Sequence, residues 1–232
     1  MECIILAGGF GTRLSHLLDN RPKTLAPINN KPFLDYLMQY LIRNGINKFI
    51  FSLGHLSDQV IDFIKMNYET LDYDYVIDPF PLGTGGAIRL AIEKCKEDSV
   101  LIVNADTFFN VDLKEMNTFH QNNISNCTFA LKPLTNYDRY GTVEIDNNMK
   151  ITNFIEKKYT EKGLINGGYI ILNKKILIDK FNLNKVFSFE KDFIETYFNE
   201  INSYGYVSNE YFIDIGIPED YYKANIDFVN SN

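Results

Sequence analysis

The chain has 232 residues, 45% hydrophobic and 23% charged, which is enough for one sizeable core and excludes a disordered polymer. Asp and Glu number 30 against 23 Lys and Arg, so the net charge is -7. That balance excludes a general nucleic-acid binder, and an anionic substrate must meet a local cluster of cations or a bound metal ion. The cysteines Cys3, Cys95 and Cys127 lie far apart without a Cys-x-x-Cys. This excludes a disulfide framework or zinc ribbon and fits a reducing compartment. Met1 to Gly9 carries no basic leader and reaches Gly8 after a short apolar run. Neither signal peptide nor membrane span is expected, and the expected location is the cytoplasm.

In chain order, Cys3 to Leu6 reads as a buried strand. Phe33 to Arg43 reads as a helix with Phe33, Leu37 and Leu41 on one stripe, stopped by Gly45. Lys48 to Phe51 is a second strand, and Ser57 caps a helix carrying Val60, Ile61 and Ile64. Tyr73 to Ile77 is a third strand, Ala87 to Cys95 a helix, and Val100 to Val103 a continuous apolar strand buried on both faces. This alternation predicts a parallel sheet covered by helices, with ligands at the carboxyl ends of its strands.

The second half changes rhythm. Thr128 to Leu131, Thr142 to Ile145, Ile151 to Ile155 and Tyr169 to Leu172 read as strands, with Asn147-Asn148 turning between the second and third. Phe189 to Ile201 reads as an amphipathic helix, and another follows Pro218. No repeat or composition break licenses a boundary. The expectation is one α/β domain over 1–232, a mixed, mostly parallel sheet flanked by helices.

Leu6-Ala7-Gly8-Gly9-Phe10-Gly11-Thr12-Arg13-Leu14 follows the first strand. Its glycines let backbone N–H groups approach an anion. It is neither a Gly-x-Gly-x-x-Gly dinucleotide loop, because Leu14 stands where the third glycine belongs, nor a P-loop, because Gly-Lys-Ser/Thr is absent. The missing dinucleotide fingerprint disfavours an oxidoreductase. Arg13, Arg21 and Lys23 supply cations beside the loop. A second loop, Pro81-Leu82-Gly83-Thr84-Gly85-Gly86-Ala87, opens a helix; its glycines let a flat base or a sugar lie against backbone, and Thr84 serves equally as a cap. Asp106 and Asp214 are carboxylates set in apolar sequence. A buried carboxylate needs a partner, a hydrogen bond or a metal. Such a pair suits Mg²⁺, which takes one or two carboxylates and completes its shell with substrate phosphate oxygens.

The ordered set of Leu6 to Leu14, Pro22-Lys23, Pro81 to Gly86, Asp106, Tyr140-Gly141-Thr142-Val143, Glu156-Lys157, Asn166-x-Gly168 and Asp214-Ile215-Gly216 resembles the sugar-1-phosphate nucleotidyltransferase family over nearly the whole chain. The resemblance implies a single-domain, Rossmann-like (GT-A-like) fold, with residues 1–125 as its nucleotide-binding half and 126–232 as its sugar-phosphate-binding half. No appended repeat domain is expected. It implies transfer of a nucleotidyl group, with GMP from GTP favoured, to a sugar 1-phosphate for surface polysaccharide, with Mg²⁺ as cofactor and neither nucleic acid nor membrane as partner. A homo-oligomer is left open.

Carried over residue by residue, the resemblance assigns nucleotide binding to Leu6, Ala7, Gly8, Gly9, Gly11, Thr12, Asp78, Gly83 and Thr84. Arg13 holds the outer phosphates and Lys23 the reacting ones. Gly86, Gly141, Glu156, Lys157 and Asn166 meet the sugar phosphate. Asp106 and Asp214 hold Mg²⁺, and Arg13, Lys23 and Asp106 carry catalysis. Relatives place glycine at Ala105, glutamate at Asp78 and an acidic residue at Phe80. Asp78 keeps a carboxylate able to accept from guanine N1–H and N2–H. Cytidylyl-, uridylyl- or thymidylyl transfer to another phosphate stays open, as does a catalytically silent, nucleotide-sensing subunit.

Overall fold

The computed structural model of the chain describes residues 1–198 and 200–231. β1 (Glu2–Ala7) leads through the glycine loop to a small ribbon, β2 (Pro27–Ile28) and β3 (Lys31–Pro32). Then come α1 (Phe33–Arg43), β4 (Lys48–Leu53), α2 (Ser57–Asn67), β5 (Asp72–Ile77), α3 (Gly83–Ile92), β6 (Ser99–Asn104), β7 (Thr107–Phe109) and α4 (Leu113–Asn122). The second half runs β8 (Cys127–Tyr137), β9 (Thr142–Ile145), β10 (Ile151–Ile155), β11 (Thr160–Asn173) and α5 (Lys174–Lys180). A π-helical turn, Phe189–Ile194, passes into α6 (Glu195–Tyr197), followed by β12 (Ser203–Val207), β13 (Phe212–Asp214) and α7 (Pro218–Asp227).

The core of the sheet is parallel, in the order β5-β4-β1-β6. The long β11 joins β6 antiparallel and carries β9 and β8 beyond it. Two-residue alternation divides the apolar side chains between the faces. Cys3, Ile5, Phe49, Phe51, Leu101 and Val103 pack with α1 and α2, while Ile4, Ile50, Val100 and Ile102 pack with α3 and α5. Each buried Leu, Ile or Phe contributes on the order of 2 kcal/mol of transfer free energy, so the two faces hold the three layers together. A third cluster matters more for function. Leu14, Leu18, Ala26, Ile28 and Phe33 pack against Ile213, Ile215, Ala224 and Phe228. It pins the segment after the glycine loop to β13 and α7. Among the described residues no helix is long and apolar enough to cross a membrane.

Several elements differ from expectation. α3 starts at Gly83, not Ala87, and ends at Ile92, not Cys95, so the second glycine cluster is helix rather than loop. Ser57 is the first residue of α2, and its side chain makes no cap; Leu56 takes the cap position with φ 57°. The span Phe189 to Ile201 is not one α-helix: six π-helical residues bury Phe189, Phe193 and Ile194 before three α-helical ones. Within that expectation Asn199 lies outside the described residues. The expected Asn147-Asn148 turn is present, with Asp146 Oδ1 accepting from the N–H groups of Asn148 and Lys150.

Candidate active site

The chain runs β1, β4, β5 outward in one direction, then returns to place β6 on the other side of β1. The carboxyl ends of β1 and β6 therefore flank the point where strand order reverses, where open α/β sheets bind ligands. Ala105 N–H donates to Leu6 O at 3.1 Å and fixes the two loops side by side. Ala105 is buried there, so its methyl group is accommodated.

A cavity of about 540 Å³ opens at this point. Its walls are Leu6, Gly8, Gly9 and Phe10 after β1; Ser52, Gly54 and His55 at β4; Asp78, Phe80 and Pro81 after β5; Leu82, Gly83, Thr84 and Ala87 on α3; and Asn104 and Asp106 after β6. Gly8 and Gly54 touch backbone to backbone: a Cβ on Gly54 would lie 2.7 Å from Gly8 O. Burial pushes the Asp78 carboxyl up to about 6. Its Oδ1 is buried without a hydrogen-bond partner. An orphaned acceptor on a cavity wall is suited to a ligand donor.

A second cavity of about 240 Å³ lies over β9, β10 and β11. Its walls include Tyr140, Gly141, Glu156, Lys157, Asn166, Gly168 and Asp214, with Glu190 and Lys191 of the π-helical turn and its flanking residues Ser188 and Glu195 facing them. Lys191 forms an ion pair with Glu156 at 2.5 Å, and Asn166 Nδ2 donates to Glu190 Oε1 at 3.0 Å. The Lys191 hydrogen bond, followed by its charge, holds the Glu156 carboxyl below its usual range. Asn104 lines both cavities, so they share a wall.

Beside that shared wall stand Asp106, which lines the larger cavity, and Asp214, which lines the smaller. Backbone pairing places them together: β7 and β13 run antiparallel with Asp214 opposite Thr107, and Ile215 N–H donates to Asp106 O at 3.0 Å. The third hydrophobic cluster delivers Lys23, whose ammonium pairs with Asp106, while Thr24 Oγ1 donates to Ala105 O at 3.2 Å. Burial, then the Asp106 charge, push the Asp214 carboxyl up to about 6, against the pull of Lys23. Gly216 N–H donates to Asp214 Oδ1 at 2.8 Å, and Tyr140 OH donates to Oδ2 at 3.4 Å. Arg139 donates to Tyr140 OH at 3.0 Å and pairs with Asp220 of α7.

The donor set fits a hard divalent cation. Two carboxylates repel across a partly desolvated gap, and no larger group of His, Cys, Asp and Glu gathers among the described residues. Such a site leaves coordination positions for phosphate oxygens and water.

Not every expected residue lies on these walls. Ala7, Gly11, Thr12, Arg13 and Lys23 line neither cavity. Lys23 reaches the site through Asp106, whereas Arg13 is exposed and makes no ion pair among the described residues. Gly86, expected at the sugar, is buried in α3, where a Cβ would lie 2.5 Å from Lys185 O. The second glycine cluster is a packing device: Gly83 has φ +72°, its Cβ position is 2.6 Å from Phe187 O, and that of Gly85 is 2.2 Å from the Phe187 ring. Thr84 is no helix cap; its Oγ1 accepts from Phe189 N–H at 3.0 Å. Sequence reasoning missed Phe10, Ser52, His55, Asn104, Glu190, Lys191 and Glu195 as wall residues. Position after a parallel strand marks Ser52, His55 and Asn104. The π-helical residues carry no comparable signal.

A nucleotide-sized and a smaller polar cavity, meeting at a lysine and two carboxylates, define a two-substrate phosphoryl-chemistry enzyme of the α/β class. The profile of the nucleotidyl transferase family matches residues 2–231, and the chain belongs to that family. It is 45% identical over 224 residues to D-glycero-alpha-D-manno-heptose 1-phosphate guanylyltransferase of Aneurinibacillus thermoaerophilus, covering 97% of this chain and 96% of that protein. The Campylobacter jejuni protein of the same name is 39% identical, covering 96% and 97%. Among solved structures, HddC from Yersinia pseudotuberculosis complexed with GMP-PN superposes with a TM-score of 0.85 at 36% identity, over 98% of this chain and 99% of that one.

Proposed function

We propose that this chain transfers GMP from GTP to D-glycero-α-D-manno-heptose 1-phosphate, giving the GDP-heptose and pyrophosphate. The observation that carries the reading is that Asp106 on the larger cavity, Asp214 on the smaller and Lys23 paired with Asp106 meet where the two cavities adjoin. The similarity to heptose 1-phosphate guanylyltransferases supports the choice of base and sugar. On this reading residues 1–125 serve the nucleotide and 126–232 the sugar phosphate: the larger cavity draws its walls from positions 6 to 106, the smaller from 104 to 214.

A sugar phosphate oxygen attacks the α-phosphorus of GTP; the new P–O bond forms as the bond to the β-phosphate oxygen breaks, and pyrophosphate leaves. Both reactants are anions. Two unit charges about 4 Å apart repel by about 4 kcal/mol at an effective dielectric near 20. Countercharge and alignment are therefore the main catalytic tasks, and the nucleophile is already an oxyanion near neutral pH, so no protein base is required. Lys23 stands beside the reacting phosphates and Arg13 offsets charge on the leaving group. Asp106 and Asp214 would hold a divalent ion, Mg²⁺ in this reading, which supplies further positive charge to the phosphates. Tyr140 and the Gly216 N–H hold the Asp214 carboxylate in place. Asp78 accepts from guanine N1–H and N2–H. Gly141, Asn166 and Glu156 bind sugar hydroxyls, and Lys157 meets the sugar phosphate.

The test is purified protein with GTP, Mg²⁺ and the heptose 1-phosphate. Pyrophosphate release with a GDP-heptose mass is expected. No turnover across four nucleoside triphosphates and a phosphosugar panel would refute the reading.

A further inference from the structure

Phe10 and His55 come from different loops, after β1 and after β4, yet their rings stack with centroids 5.3 Å apart and planes inclined by 29°. Phe10 is 60% exposed, and nearby Phe80, on the same cavity, is 47% exposed. His55 is exposed as well. Large exposed rings carry a hydration penalty that a covering apolar partner removes. All three rings face the cavity whose wall also holds the unpartnered Asp78 Oδ1. A ligand that satisfies both features has a flat π-face and an edge of N–H donors, which is the chemistry of a nucleobase.

We infer that the Phe10–His55 stack is the platform on which the face of the nucleobase lies, while Asp78 reads its edge. The inference rests on the guanylyl-transfer reading and adds to it the two residues that hold the face of the base.

The chain contains no tryptophan, so Phe10→Trp introduces a sole indole reporter. Guanine stacked on indole quenches its emission by electron transfer, whereas inorganic tripolyphosphate brings the same phosphates without a base. Emission of the variant is titrated with GTP, UTP and tripolyphosphate, and calorimetry follows GTP binding to the wild type and the variant. Expected are strong quenching by GTP, weaker quenching by UTP and none by tripolyphosphate. His55→Ala and Phe10→Leu should each weaken GTP binding about tenfold, the scale of a lost base–aromatic stack, with tripolyphosphate binding unmoved. GTP binding to Phe10→Trp without quenching overturns the stack alone. If Phe10→Trp binds no GTP, unchanged GTP affinity in both other variants overturns it, and a tenfold loss supports it. Wild-type protein that gives no heat with GTP overturns the guanylyl reading, and the platform falls with it.

Discussion

Asp78→Asn replaces an ionised acceptor by a neutral amide of the same size, and it should make the protein more stable and less able to bind GTP. The carboxyl sits at about 6 rather than 3.8 because burial opposes its charge, and Oδ1 has no donor to offset the loss of water. A displacement of that size corresponds to roughly 3 kcal/mol, and solvent reaching the half-buried group reduces the effect to about 1 to 2 kcal/mol. The sign follows from linkage. A carboxyl whose folded value is raised favours the folded state when protonated, and that contribution is lost as pH rises from about 4 through 6. The variant should therefore unfold at higher urea than wild type at pH 7.5, and the difference should vanish at pH 4. In binding the order reverses. Losing a charge-assisted acceptor raises the KM for GTP by about ten- to a hundredfold. Wild-type affinity should fall about tenfold per pH unit below 6 as the acceptor is protonated, and the variant should lack that component. The γ-phosphate titrates alike in both proteins, so the difference between the two profiles isolates Asp78. Equal urea midpoints at pH 7.5, or an unchanged KM for GTP, would refute the reasoning.

Asp106→Ala and Lys23→Ala should each lower kcat by about a hundredfold or more through lost charge stabilisation in the transition state; steady-state rates with added metal check this, and near-normal turnover in either would count against the site. Glu156→Ala should chiefly raise the KM for the sugar phosphate, read at saturating GTP, and an unchanged value removes it from the pocket. Gly85→Ala should destabilise the fold by about 1 to 3 kcal/mol in urea despite the better helix propensity of alanine, because its Cβ lands 2.2 Å from a Phe187 ring that is itself stacked on Phe181 at 4.0 Å. A Gly85→Ala protein as stable as wild type would show that the Phe187 ring can move aside.

The parallel half of the fold was legible because each of its elements carries its own periodicity. Val100 to Val103 is apolar throughout because the sheet has helices on both faces, and Phe33 to Arg43 shows its stripe because one face is buried. What was lost lay where tertiary context overrides local pattern. α4 is polar over most of its length and is anchored by Asp112, whose Oδ1 accepts from Lys114 and Glu115 N–H at 2.9 Å. β8 and β11 extend well past the short apolar runs that mark them, because they leave the core and keep pairing with each other out to Tyr137 and Thr160. The glycines at 83, 85 and 86 were legible as a cluster but not as a contact, since nothing near them in sequence announces Phe187 a hundred residues on. Lys23, Asp106 and Asp214 were legible by type and order. Their convergence depends on the third hydrophobic cluster, which joins residues 14–33 to 213–228.

The two raised carboxyls, Asp78 on the larger cavity and Asp214 on the smaller, are both pushed up first by burial, so ionisation of each costs stability. The protein could remove that strain by substituting an amide at either position. On the proposed chemistry it keeps the strain because substrate completes the partners of each charge: guanine N–H donors at Asp78, and at Asp214 a divalent cation that would join Tyr140 and the Gly216 N–H. The same logic accounts for the Lys191–Glu156 pair across the smaller cavity, which satisfies two exposed charges until a sugar phosphate competes for both. Of the cations assigned to the two anions, Lys23 is held by a carboxylate, Asp106, whereas Arg13 stands exposed without an ion pair among the described residues. Lys23 on Asp106 is the central instance: in the proposed reaction a phosphate would draw the ammonium away and free Asp106, which with Asp214 would hold a divalent ion.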